Sequence, residues 1–104
     1  MKLRHHILAA LVLLLISVVG IAGAADIQAG KASAAACSNC HRANGEGSGP
    51  NPPLAGMAKD RFVQAIKDYK SGKRPNATMK SFAARLDDKE TAKLAAYYAS
   101  LKKK

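Results

Sequence analysis

The sequence predicts an all-α fold. Two stretches carry apolar residues at helical spacing: Phe62, Val63, Ile66 and Tyr69 in one, Leu94, Tyr97, Tyr98 and Leu101 in the other. A third, from Ile27 to Cys40, is rich in alanine, the residue that favours a helix most. No segment reads as a strand, and no internal repeat is present. Three main helices joined by long loops are therefore expected.

The chain opens with a segment unlike the rest. Met1 to His6 is short and basic, Ile7 to Ala25 carries no charge, and Ala22-Gly23-Ala24 supplies small residues in an A-x-A arrangement. That order predicts a cleaved signal peptide over residues 1–24, with residues 25–104 forming the folded domain and an exported, periplasmic location. The alternative is an uncleaved anchor, since the apolar run is nearly long enough to span a bilayer. Cleavage removes Lys2 and Arg4 and leaves 15 basic against 7 acidic residues, a charge of +8. It also leaves His41 as the only histidine, and Met57 and Met79 as the only methionines. The remaining 80 residues hold no Trp and few large apolar side chains, so the polypeptide alone builds a marginal core and something else has to fill its centre.

The elements follow in order. Asp26 is placed to cap the first helix, whose many small side chains suit close approach of another backbone. Asn44 to Gly56 is a loop: three glycines and then Pro50-Asn51-Pro52-Pro53 exclude both helix and central strand. The second helix runs from Lys59 to Tyr69 and stops at Gly72. A polar connection through Pro75 leads to a helical turn within Met79–Leu86. Asp87, followed by Glu90 three residues on, gives the third helix a capping-box start. Lys102-Lys103-Lys104 reads as a frayed, soluble end.

Chemistry concentrates at Cys37-Ser38-Asn39-Cys40-His41, a C-x-x-C-H sequence. This is the attachment pattern of c-type haem. Two thiols add to the two vinyl groups of the porphyrin, and the next residue then lies under the iron as proximal ligand. The pattern calls for one haem c, bound covalently through Cys37 and Cys40. A zinc site lacks further ligands of the right kind, since there is no second C-x-x-C. A redox dithiol lacks a βαβ setting, and a plain disulfide leaves His41 unexplained. For the sixth iron position only thioethers remain once His5 and His6 are gone. Met79, 38 residues beyond His41 with a helix between, has the reach to pass around the macrocycle; Met57, 16 residues beyond, is expected to fill the core instead.

Taken together, these residues make the chain resemble the class I c-type cytochromes of the small bacterial monohaem type, with c5-, c553- and c4-like domains. The resemblance spans Asp26 to Leu101. It rests on C-x-x-C-H at 37–41, on P-x-L-x-G ending at Gly56, on G-x-R-x-N-x-x-M from Gly72 to Met79, and on the L-A-A-Y-Y segment at Leu94–Tyr98. It implies a cytochrome c fold wrapped around the haem, with Met79 as distal ligand. It also implies that the carbonyl of Pro52 accepts a hydrogen bond from His41, that Leu54 packs on the haem, and that the first and last helices cross with Gly30 near Tyr97. One position departs from the pattern: Arg42 stands where a glycine usually follows the histidine.

The function expected is a soluble one-electron carrier with His41 and Met79 as iron ligands and no catalytic activity of its own. No nucleophile–base or acid–base pair has a spacing that suggests catalysis. A cytochrome subunit of a larger redox enzyme, such as a flavocytochrome, is the alternative. The basic charge suits a redox partner with an acidic docking surface, with Lys73, Arg74 and Lys80 flanking the ligand. Nucleic acid is not expected as a partner, because the lysines are spread over all three helices without interleaved aromatics. Contact with a membrane is expected only through a partner complex or an uncleaved N-terminus.

Overall fold

The computed structural model describes residues 26–103; the predicted signal segment lies outside these residues. Among the described residues five helical stretches account for the regular structure: α1, followed here over 26–33, α2 over Ala35–His41, α3 over Lys59–Ser71, α4 over Ala77–Ala84 and α5 over Asp88–Ser100. Among the described residues the sole β pairing is an isolated bridge between Ser48 and Asn51. None of the described helices is long and apolar enough to cross a membrane.

The first predicted helix is interrupted. At Ala34 the chain makes a tight turn, with the Cys37 N–H donating to the Ala34 carbonyl at 2.9 Å, and α2 begins without a side-chain cap. Asp26 lies inside α1 and not at a cap position. The alanine run contains no proline or glycine at this point, so composition alone did not mark the break.

Helix α3 buries Phe62, Ile66 and Tyr69, the stripe expected from spacing. It ends at Gly72, which takes the left-handed conformation (φ 82°) that a glycine adopts without steric cost. Helix α4 is longer than the single turn expected and starts earlier, because the Asn76 side chain accepts the Met79 N–H at 2.9 Å and caps it. At the start of α5 the Asp87 carboxylate accepts the Glu90 N–H at 2.7 Å. The reciprocal half of the capping box is not made. Glu90 accepts from the Ser33 hydroxyl at 3.0 Å and pairs with Lys93 at 3.4 Å, tying α1 to α5.

Helix α1 crosses α5 at backbone contact, as the resemblance implied. A Cβ placed on Gly30 would lie 2.2 Å from the Lys93 carbonyl oxygen and 2.8 Å from Tyr97 Cβ. Helix α3 packs against both α4 and α5. The Phe62 and Tyr98 rings stack with centroids 5.7 Å apart, Tyr97 tilts against Tyr98 at 5.1 Å, and Ala83 and Leu94 complete the interior. The end of the chain is seated, contrary to expectation. Lys103 lies across Gly56, whose missing Cβ would stand 2.4 Å from Lys103 Cγ, and the Gly56 N–H donates to the Tyr98 carbonyl at 2.8 Å.

Candidate functional site

A cleft of about 350 Å³ opens between α2, the 44–56 loop, α3 and α4. All six residues singled out from the sequence line it: Cys37, Cys40, His41, Pro52, Leu54 and Met79. Its remaining wall is largely apolar, with Phe62, Ile66 and Leu94 at the back and Phe82 toward solvent. Met57 lines the same cleft and, like Met79, is half-buried. The wall residues Asn51, Tyr69 and Phe82 were not singled out beforehand. Only the helical spacing of Tyr69 gave a signal, and it read as ordinary core.

His41 ends α2 and is 6% exposed. Its Nδ1 stands 2.8 Å from the Pro52 carbonyl oxygen. A carbonyl only accepts, so Nδ1 carries the proton and the lone pair of Nε2 is left to act as a donor to a metal. This is the contact expected of Pro52.

The loop that presents Pro52 is fixed at several points. The Gly45 carbonyl accepts the N–H groups of Leu54 at 2.8 Å and Ala55 at 3.0 Å. The Gly47 N–H donates to the His41 carbonyl at 3.0 Å, and the Ser48 hydroxyl donates to the Cys40 carbonyl at 3.0 Å. Gly45, at φ 69°, rests on the Tyr98 ring so closely that a Cβ would meet Cε1 at 2.8 Å. The glycine demand of this loop is thus both conformational and steric.

Cys37 and Cys40 are three residues apart on α2, which puts them on neighbouring positions of one helix face. Both are free thiols, Cys37 partly buried and Cys40 exposed. Burial pushes the Cys37 thiol up, with a hydrogen bond to Tyr98 pulling the other way. Tyr98 is pushed up as well, first by its own burial and then by the charge of Cys37. The residue after the histidine is strained: Arg42 has φ 68° and ψ 165°, a region that glycine enters freely and other residues rarely. Its side chain stands where the resemblance expects no side chain at all.

The donor set fits a haem. Two thiols on one helix face suit two vinyl groups, a buried imidazole offers Nε2, a thioether lines the same cleft, and the apolar walls suit a flat apolar macrocycle. Among the described residues no group of three or more His, Cys, Asp or Glu is placed to hold a bare metal ion.

The family model for cytochrome c matches residues 27–102. The chain belongs to the cytochrome c family. Relatives of this cytochrome include cytochrome c4 of Pseudomonas aeruginosa, 41% identical over 92 residues, covering 86% of this chain and 46% of that protein. Cytochrome c-554(548) of Halomonas halodenitrificans is 36% identical over 81 residues, covering 74% of this chain and 98% of that protein. Among solved structures, cytochrome c4 of Acidithiobacillus ferrooxidans superposes with a TM-score of 0.61 at 35% identity, over 64% of this chain and 38% of that one. The chain spans about half the length of the cytochrome c4 relatives it matches. As a c-type cytochrome it is of the c4-like kind, a member of a family that holds haem c covalently.

Proposed function

We propose that this cytochrome is a soluble periplasmic carrier of single electrons, holding one haem c through thioethers at Cys37 and Cys40, with His41 and Met79 as the iron ligands. The observation that carries the reading is that a buried His41, fixed by the Pro52 carbonyl at 2.8 Å, and Met79 line one cleft with both cysteines. When bound, the haem supplies an iron that cycles between two oxidation states. The protein's own groups set the terms of that cycle. Pro52 holds the imidazole in one tautomer and raises its basicity. The Met79 thioether favours the reduced state and thereby a positive potential. Leu54, Phe62, Ile66 and Leu94 keep water away from the centre. With His41 and Met79 both committed to the iron, the cleft would offer no open position to a substrate, in keeping with a carrier that is not an enzyme.

Its partner is a redox protein with an acidic surface. Between Tyr69 and Leu86 the chain carries Lys70, Lys73, Arg74, Lys80 and Arg85 and no carboxylate. Phe82, 37% exposed, lies in the middle of that stretch and lines the cleft. A cationic rim around an apolar spot suits steering followed by close contact. Export is supported by the basic, apolar and small-residue order of the first 24 residues.

Met79→Ala tests the ligand assignment. It is expected to abolish the sulfur-to-iron charge-transfer band of the ferric protein, lower the potential and let carbon monoxide bind the ferrous form. Met57→Leu, a swap of similar volume, is expected to leave all three unchanged. Loss of the band in Met57→Leu with retention in Met79→Ala would reverse the assignment.

A further inference from the structure

We infer that α2 and the loop after it present a second contact surface for a redox partner, with Arg42 as its anchor for a partner carboxylate; the inference rests on the carrier reading above. Arg42 is this chain's own feature, standing where a glycine usually follows the histidine. Its backbone, at φ 68° and ψ 165°, is one that glycine adopts without strain. Nothing in the described fold offsets that strain. The residue is exposed and does not line the cleft, so it does not face the place of the cofactor. Among the described residues the one salt bridge is Lys93–Glu90, and the arginines that stack on rings are Arg74 and Arg85. A strained residue whose side chain serves no contact within the fold implies a contact outside it.

The surroundings of Arg42 have the composition of an interface. Between Lys31 and Lys59 the only formal charges are Arg42 and Glu46, in a chain otherwise rich in lysine. Asn39, Cys40, Ala43, Pro52 and Pro53 are exposed on the same segment. The loop is tied back to this corner. The Arg42 carbonyl accepts the Gly45 N–H at 3.1 Å, and the Gly47 N–H and the Ser48 hydroxyl donate to the carbonyls of His41 and Cys40. The surface is thus formed before any partner arrives, which keeps the ordering cost of binding small. Interface centres are poor in lysine and carboxylate and enriched in arginine, whose planar fork pairs with both oxygens of a carboxylate. Lys73, Lys80 and Arg85 steer from a distance by charge; Arg42 acts in contact. Cys40, two residues before Arg42, is a point of haem attachment in the carrier reading. A partner seated here meets the chain where its cofactor is joined.

The test uses the haem-loaded protein, with a flavodoxin in its semiquinone form as a strongly acidic probe. The semiquinone gives one electron to the ferric iron and its N5 proton to solvent, leaving oxidised flavin. Stopped-flow rates are compared for wild type, Arg42→Gly, Arg42→Lys and Lys102→Gln, and amide shifts are mapped by NMR with oxidised flavodoxin. Arg42→Gly is expected to fold at least as well as wild type and to keep its midpoint potential. Its second-order rate constant is expected to fall about tenfold, in line with truncation of an interface arginine. Lys102→Gln removes the same charge at the chain end and is expected to change the rate less than about twofold. Arg42→Lys keeps the charge without the paired donors and is expected to lie between wild type and Arg42→Gly. Amide shifts are expected at Asn39, Cys40, Arg42 and Ala43. Equal rates for Arg42→Gly and Lys102→Gln overturn the inference, as do shifts confined to α4 around Phe82. Wild-type protein that takes no electron from the probe would defeat the carrier reading itself, and this inference with it.

Discussion

His41 and Arg42 are neighbours with opposite conformational histories. His41 sits in ordinary helical backbone and its ring is fixed by the Pro52 carbonyl. Arg42 pays for the turn that follows, at φ 68° and ψ 165°. The C-x-x-C-H pattern made His41, Cys37 and Cys40 legible from sequence, because three residue types at fixed spacing leave few other chemistries. Pro52 and Leu54 came only through the likeness to a family, since no spacing rule links residue 52 to residue 41; their contact depends on a loop held by Gly45 and Gly47. The strain at Arg42 leads to a measurable expectation. Arg42→Gly should relieve about 1–3 kcal/mol of backbone strain and lose somewhat under 1 kcal/mol to the greater freedom of glycine in the unfolded chain. The net gain, on the order of 1 kcal/mol, should appear as a higher denaturation midpoint. Arg42→Ala, which keeps a Cβ, should show no such gain.

At the scale of elements, helical spacing located α3 and α5 well, and Asp87 and Gly72 marked their ends through caps that the structure contains. The break at Ala34 and the full length of α4 were not legible. The first lies in a run of alanines that favours helix throughout, and the second depends on Asn76, whose capping role is hidden in a polar connection. The crossing of α1 and α5 has almost no tolerance. Gly30→Ala gains up to about 1 kcal/mol of helix propensity. Its new Cβ, however, would stand 2.2 Å from the Lys93 carbonyl oxygen, and overpacking of this kind costs about 1–3 kcal/mol. The variant should therefore unfold at lower denaturant than wild type. Gly49→Ala, at a position with nothing within 4 Å, tests left-handed strain without any packing clash and should cost less.

For the whole molecule, the small inventory of large apolar side chains has a plain consequence. Among the described residues the buried apolar set is nine residues, three of them alanines, and four of the nine line the cleft. Replacing both Cys37 and Cys40 by Ser, which prevents covalent haem attachment, should leave a largely unfolded chain that is quickly digested by protease; a cooperative melt in that variant would show a self-sufficient core. The charge distribution also acts at this scale. Electron transfer to an acidic partner should slow as salt rises, and Lys80→Glu should slow it more than Lys102→Glu, because Lys80 lies beside the cleft and Lys102 at the chain end. Rates indifferent to salt would leave apolar contact at Phe82 as the attraction. The way α5 meets the 44–56 loop, finally, couples two walls of the cleft. Tyr98 lies under Gly45, accepts the Gly56 N–H through its carbonyl and stands against Cys37, and Lys103 covers Gly56 from outside. One side chain thus props the loop that presents Pro52 and the helix that presents the first cysteine. It acts as a strut: shortening it should slacken both walls together and not one alone.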